Sequence, residues 1–116
     1  MRTRTTLPIL FCILLAVSAC SDQQSAPLTP EEQRIARTYA ELLILNELHQ
    51  SDMREDSVTY AGKVDSVLAL HGFERGEFDK EFLLLSQSSR KFKSLFDSTE
   101  AAIREIRQRQ LEERDQ

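Results

Sequence analysis

The side chains that could bind a metal ion or carry out acid–base chemistry are few and scattered. Two histidines occur: His49 closely follows Glu47, and His71 precedes Gly72. A zinc site needs at least three protein ligands, so His49, His71 and Glu47 would have to converge to form one. The H-E-x-x-H pattern is absent. Because a histidine in the last turn of a helix is favoured by the helix dipole, we interpret both histidines in that way and predict no metal site.

Carboxylates and serines give no better indication of catalysis. Sequence-adjacent residues on a helix point about 100° apart, so neighbouring acidic residues do not converge on one substrate. Such pairs are Glu31-Glu32, Glu55-Asp56 and Glu112-Glu113. The chain has no tryptophan, no G-x-S-x-G nucleophile elbow and no glycine-rich phosphate loop. We therefore predict that the protein is not an enzyme and uses no cofactor or small-molecule substrate.

The first 19 residues have the composition of a secretory signal. Arg2 and Arg4 give it a positive start, and residues 7–17 form an apolar run. That run is shorter than the roughly 20 apolar residues of a membrane-spanning helix. The pattern predicts that residues 1–19 are removed as a lipoprotein signal peptide. An ordinary signal peptide cut nearby and an uncleaved anchor are the alternatives.

The end of this segment indicates lipid attachment. Val17, Ser18 and Ala19 precede Cys20, an order that resembles the lipobox of bacterial lipoprotein signal peptides. The resemblance implies that the Cys20 sulfur accepts a diacylglycerol and that the new amino terminus gains an acyl chain such as palmitate. Two or more chains anchor a protein stably. We expect a lipid-anchored protein of the cell envelope. Ser21, which is not the aspartate that some systems read as inner-membrane retention, favours the outer membrane facing the periplasm.

Residues 20–28 are predicted to be the lipidated cysteine and a polar tether. The tether, SDQQSAPL, has no periodicity, and its eight residues could lift a domain about 26 Å from the lipid when fully extended. The other cysteine, Cys12, lies in the predicted signal. No thiol would then remain for disulfides, catalysis or metal binding.

The chain beyond the signal is acidic. Residues 20–116 carry 13 basic and 19 acidic side chains. This balance argues against nucleic-acid binding, which needs a basic stripe, and against lying flat on anionic lipid. We expect the membrane to be contacted through the lipid on Cys20 and any further partner to be an envelope protein.

Capping patterns and apolar spacing predict an all-α domain over residues 29–106, a small bundle of four helices. The first helix begins at the capping box Thr29-Pro30-Glu31-Glu32 and extends to about His49. After a polar loop, a second helix fits residues 57–70 and is closed by Gly72. No stretch alternates with period two for long enough to predict a strand.

The remaining helices follow apolar stripes. A short third helix carries Phe78, Phe82 and Leu85 at i, i+4 and i+7. A fourth is expected to begin near Ser89. Its core-facing stripe is predicted to be Phe92, Phe96, Thr99, Ile103 and Ile106.

Residues 107–116 continue this helix with one large apolar side chain, Leu111, among charges. We predict a charged helical extension or a frayed tail. A coiled-coil partner is the alternative, although the seam is shorter than the three or four heptads that would indicate one.

Three segments resemble a family of small Gram-negative lipoproteins that carry a helical domain of unknown function. The segments are Ala40–Leu45, Leu70–Phe73 with Glu77–Asp79, and Ser86–Asp97. Leu43 stands where the family often has histidine, and Ser89 replaces its usual proline. The resemblance covers about residues 29–106 and implies a helical periplasmic domain with no assigned activity.

One apolar run suggests a binding function. Leu42, Leu43, Ile44 and Leu45 are consecutive and cover about 300° of a helix, more than one packed face requires. Either the first helix is central and contacts the other three, which bundle packing favours, or part of the run is exposed for a partner. We hypothesise a non-enzymatic interaction or adaptor module of the envelope.

The alternative function is a chaperone-like holder of unfolded envelope polypeptides. It is suggested by phenylalanines that occur in an acidic domain and could bind apolar segments. These are Phe73, Phe78, Phe82, Phe92 and Phe96.

Overall fold

A computed structural model describes residues 26–116. Its helices are α1 (Pro30–Ser51), α2 (Ser57–Leu70), α3 (Arg75–Ser86) and α4 (Ser89–Arg114). No strand occurs among these residues, and the helices pack on one another as a bundle. The predicted fold class, an all-α bundle of four helices, is confirmed. The predicted signal peptide and the first part of the tether lie outside the described residues.

α1 begins with the capping box that the sequence predicts. The backbone N–H of Glu32 donates to Oγ1 of Thr29 at 3.2 Å, and the backbone N–H of Thr29 donates to Oε1 of Glu32 at 2.9 Å. These bonds satisfy two N–H groups at the start of the helix, and Pro30 occupies its first turn, where no N–H is needed.

α1 is the central helix, because it contacts each of the other three and takes part in most of the contacts between helices. Its buried residues are Ile35, Ala36, Thr38 and Ala40. The completely buried hydroxyl of Thr38 donates to the carbonyl of Arg34 at 2.8 Å. Burial of that hydroxyl therefore leaves no unpaired polar group.

α2 is fixed at both ends by local bonds. Its N-cap, Asp56, accepts a hydrogen bond from the backbone N–H of Thr59 at 2.7 Å. Past its C-terminal end, Gly72 has φ +76°, and the N–H of Phe73 donates to the carbonyl of Leu68 at 2.9 Å. This is a Schellman motif. It turns the chain so that both Phe73 and Leu68 enter the core.

The core collects apolar side chains from all four helices and from the turn after α2. Its buried members are Ile35, Ala36, Leu68, Phe73, Phe78, Leu85 and Leu95. The rings of Phe73 and Phe78 meet edge to face, with centroids 5.5 Å apart. This geometry is favourable for aromatic rings.

The predicted stripe of α4 was wrong at its first two positions. Thr99 is buried, but Phe92 and Phe96 are 37% and 48% exposed, and Leu95 fills the core at 1% exposure. Leu95 and Thr99 are four residues apart, so they share a face of the helix. Phe96 follows Leu95 directly and therefore lies about 100° around the helix from it.

α1 and α4 run parallel, with their starts at the same end of the bundle. Near the starts, Nζ of Lys91 lies 2.6 Å from Oε1 of Glu32. Toward the other end, Nη2 of Arg107 lies 2.7 Å from Oε2 of Glu47. We call the end that holds the starts the N-terminal end of the bundle, and the end where both helices finish the C-terminal end.

Candidate interaction surface

The structure distributes the aliphatic run of α1 over several environments. Leu42 packs against the core cluster, Ile44 and Leu45 are half-buried, and Leu43 is 37% exposed. The contacts of α1 with the other three helices therefore cover most of the run. Leu43 is the most exposed of the four.

A groove lies between α1 and α4 at the C-terminal end of the bundle. We call it the C-terminal groove, and its volume is about 660 Å³. Its lining residues are Ile44, Glu47, Leu48 and Ser51 from α1, and Arg107, Gln110, Glu113 and Arg114 from α4. Ile44 and Leu48 provide its large apolar side chains, one helical turn apart, and Leu48 is 58% exposed.

Charged side chains of both signs line this groove. Arg107 pairs with Glu47 between the two helices, and Glu113 and Arg114 contribute one further charge of each sign. The side chains of Arg107 and Glu47 remain 57% and 67% exposed. Water screens such exposed pairs, so these charges add little to the stability of the bundle.

The two histidines lie at opposite ends of α2. His49 stacks on Tyr60 with ring centroids 4.1 Å apart, near the start of α2, whereas His71 is the C-cap of that helix. The 14 residues of α2 span about 21 Å, so His49, His71 and Glu47 do not converge. Within residues 26–116, no group of three metal-binding side chains occurs.

A charged cluster joins α1 to α2 around Glu55. The carboxylate of Glu55 lies 2.9 Å from Nδ1 of His49 and also binds Nζ of Lys63. The bond from Lys63 and, to a smaller extent, the bond from His49 hold the pKa of Glu55 below its ordinary value, against the opposing effect of burial. The bond from Thr59 lowers the pKa of Asp56 in the same way. These partners give Glu55 and Asp56 structural roles.

The phenylalanines divide between the core and the surface. Phe73 and Phe78 are buried, and Phe82 packs against the core cluster. Phe92 and Phe96 form an exposed edge-to-face pair with centroids 5.1 Å apart. Among the phenylalanines of residues 26–116, only this pair has the exposure that binding an unfolded polypeptide would require.

The predicted lipidation site lies outside the described residues, as do the lipobox positions. They are Cys20, Val17, Ser18 and Ala19. In the part of the chain that the structure does describe, no helix combines the length and apolarity needed to cross a membrane.

Sequence reasoning missed the α4 side of the C-terminal groove. Arg107, Gln110 and Arg114 recur at i, i+3 and i+7, which places them along one side of a helix. Because all three are polar, no hydrophobic pattern identifies that side. The spacing was the available signal, but the sequence did not show that this part of α4 would lie beside α1.

Comparisons of the chain with protein-family models, curated proteins and solved structures gave no match.

Proposed function

We propose that the protein is a lipid-anchored, non-enzymatic adaptor of the cell envelope, which binds a helical segment of another envelope protein in the C-terminal groove. The observation that carries the binding proposal is the exposure of Leu48. A leucine that is 58% exposed beside Ile44 in a groove leaves apolar surface that a partner could bury.

The shape of the groove favours an amphipathic helix as the occupant. Ile44, Leu48 and Ser51 follow one another along α1 at i, i+4 and i+7, and α4 runs parallel on the other side. A helix laid between them would place a short apolar stripe on Ile44 and Leu48. Because both signs of charge line the groove, that helix should carry both acidic and basic residues beside its stripe.

Binding at this groove can be tested by site-specific photocrosslinking in cells. A photoreactive amino acid at position 48 should yield a discrete product, and mass spectrometry should map it to an amphipathic helix. The same amino acid at Val58, which is 80% exposed on α2, is the matched control and should not yield that product.

A peptide with the mapped helix should then bind the purified lipidated protein. Leu48→Glu should weaken this binding at least tenfold, because it places a charge on the apolar part of the groove, whereas Val58→Glu should leave it unchanged. A peptide that binds the Leu48→Glu protein as tightly as the original would contradict the proposed site.

The anchoring proposal depends on Cys20 and the lipobox before it. The resemblance of three segments to small Gram-negative lipoproteins is a second reason for it. Metabolic labelling with a fatty acid should mark the original protein and leave Cys20→Ser unmarked. Cys12→Ser is the control and should keep the label, since residue 12 would leave with the signal. A labelled Cys20→Ser protein would disprove lipid attachment at that position.

A chaperone-like holder is the second candidate function, and the exposed Phe92–Phe96 pair favours it. The purified protein should then slow aggregation of an unfolded outer-membrane protein. Replacing both phenylalanines by serine should remove the effect, whereas Leu48→Ser should not. No slowing at a stoichiometric excess would eliminate this candidate.

A further inference from the structure

The segment before α1 is bound to the first two turns of α4. The hydroxyl of Ser94 donates to the carbonyl of Ala26, and Nζ of Lys91 donates to the carbonyl of Pro27 at 2.9 Å. Ser94 is only 8% exposed. Two consecutive carbonyls of the predicted tether are therefore held by the bundle.

Two further contacts secure this segment. Leu28 packs against the core cluster. Nζ of Lys91 is held from its other side by Glu32, at 2.6 Å, and this bond from Lys91 is the main reason that the pKa of Glu32 lies below its ordinary value. Lys91 thus connects α4, the start of α1 and the segment before it.

These contacts shorten the part of the predicted tether that can separate the bundle from Cys20. After Cys20, only residues 21–25 precede the bound segment. Fully extended, they span about 16 Å, compared with about 26 Å for residues 21–28. The chain also leaves the bundle beside the start of α4, so a tether of this length keeps the N-terminal end of the bundle nearest to residue 20.

The net charges of the side chains at the two ends of α4 differ in sign. Arg90 and Lys93 are exposed in the first turns of α4, and neither forms an ion pair within residues 26–116. The last residues of α4 and the residue after it include Glu112, Glu113 and Asp115 with one cation, Arg114, so their net charge is −2. An anionic lipid surface attracts the first set and, on balance, repels the second.

We propose that the bundle stands upright on an anionic phospholipid surface, with its N-terminal end toward the headgroups and Arg90 and Lys93 in contact with them. This inference rests on the proposed acylation of Cys20. α4 has 26 residues and is about 39 Å long, so the C-terminal groove faces away from the membrane. A partner would therefore be bound at a distance of several nanometres from the lipid.

Energy transfer from the protein to labelled headgroups tests this orientation. The mature lipidated protein would carry a fluorophore on Ser89→Cys or on Gln110→Cys, two exposed positions about 32 Å apart along α4. In vesicles of phosphatidylcholine and phosphatidylglycerol, transfer should be strong from position 89 and at least fivefold weaker from position 110. Equal transfer from both positions on vesicle-bound protein would overturn the upright orientation.

Sedimentation with the vesicles separates this result from a failure of anchoring. If neither protein sediments with vesicles, the proposed lipid attachment fails. If both sediment and transfer is equal, only the orientation fails.

Reversing the charges of Arg90 and Lys93 tests whether these side chains contact the headgroups. Arg90→Glu with Lys93→Glu should reduce the difference in transfer between positions 89 and 110 on anionic vesicles. Arg114→Glu, at the other end of α4, should not reduce it. An unchanged difference in the first variant would rule out the contact through Arg90 and Lys93.

Discussion

Oε2 of Glu41 lies 3.1 Å from Nε2 of His71, and this contact joins the middle of α1 to the C-terminal end of α2. The two groups are at ion-pair distance, although their orientation does not form a hydrogen bond. Arg34, about two turns earlier on α1, donates to the carbonyl of His71 at 3.3 Å and places its guanidinium 4.2 Å from the ring centroid of Phe73. Arg34, Glu41 and His71 therefore help to dock the turn after α2 on α1.

Gly72 is the residue of this turn that should tolerate substitution least. Its φ of +76° is unfavourable for any residue with a Cβ, and an added Cβ would lie 3.2 Å from Nη1 of Arg34. We expect Gly72→Ala to lower the free energy of unfolding by about 1–2 kcal/mol, measured by urea denaturation. Gly62, inside α2 with no atom within 4 Å of an added Cβ, is the control.

Gly62→Ala should raise the stability by about 0.5–1 kcal/mol, because alanine restricts the unfolded chain more than glycine does. A Gly72→Ala protein that is as stable as the original would show that the turn does not adopt the left-handed conformation described.

Local signals explain why α1 and α2 could be predicted from the sequence. The capping box at Thr29 and the glycine at position 72 act through bonds to residues a few positions away. The sequence therefore contains both the signal and its partner. The start predicted for α4 was also correct, since Ser88 caps the helix through the N–H of Lys91.

Other features depend on how the helices pack, which the sequence alone does not specify. Phe92, Leu95 and Phe96 are all apolar, so two overlapping stripes fit the first turns of α4. Contact with α1 and α3 selects the one that contains Leu95. The C-terminal groove similarly requires the parallel alignment of α1 and α4, which depends on the path of the chain through α2 and α3.

Shortening one side chain of each stripe to alanine tests which stripe faces the core. Leu95→Ala should cost about 2–5 kcal/mol of stability, because Leu95 is 1% exposed and its loss leaves a cavity. Phe96→Ala should cost about 1 kcal/mol or less, although it removes the larger side chain, because Phe96 is 48% exposed. Chemical denaturation of both variants provides the measurement, and the reverse order of stability would restore the stripe predicted from the sequence.

Acid should weaken the bundle through Glu32 and Glu55. Both have a pKa that is lower in the folded state than its ordinary value. Each therefore stabilises the fold fully above the unfolded-state pKa of about 4.3, and this stabilisation is lost as the pH falls through the lower folded-state value. These two carboxylates should leave the melting temperature unchanged near neutral pH. They should lower it once the pH is below about 4.3.

Glu55→Gln separates the contribution of one carboxylate from general acid effects. This variant keeps a side chain of similar size but cannot lose a charge, so its melting temperature should fall less between pH 6 and pH 3 than that of the original. Glu113→Gln, which has no ion-pair partner within residues 26–116, should follow the original. Parallel curves for all three proteins would argue against the role of Glu55.

The ion pair beside the C-terminal groove should matter for binding and little for folding. Glu47 and Arg107 are both more than half exposed, so Glu47→Arg should change the free energy of unfolding by less than about 1 kcal/mol. Exchanging the two residues, with Glu47→Arg and Arg107→Glu together, restores the ion pair and should return the free energy of unfolding to that of the original protein.

The exchange nevertheless moves each charge to the opposite side of the groove. The helical partner should therefore bind less tightly to the exchanged protein, as measured with the peptide mapped by crosslinking. Equal affinity for the original and exchanged proteins would show that the partner does not contact these two side chains.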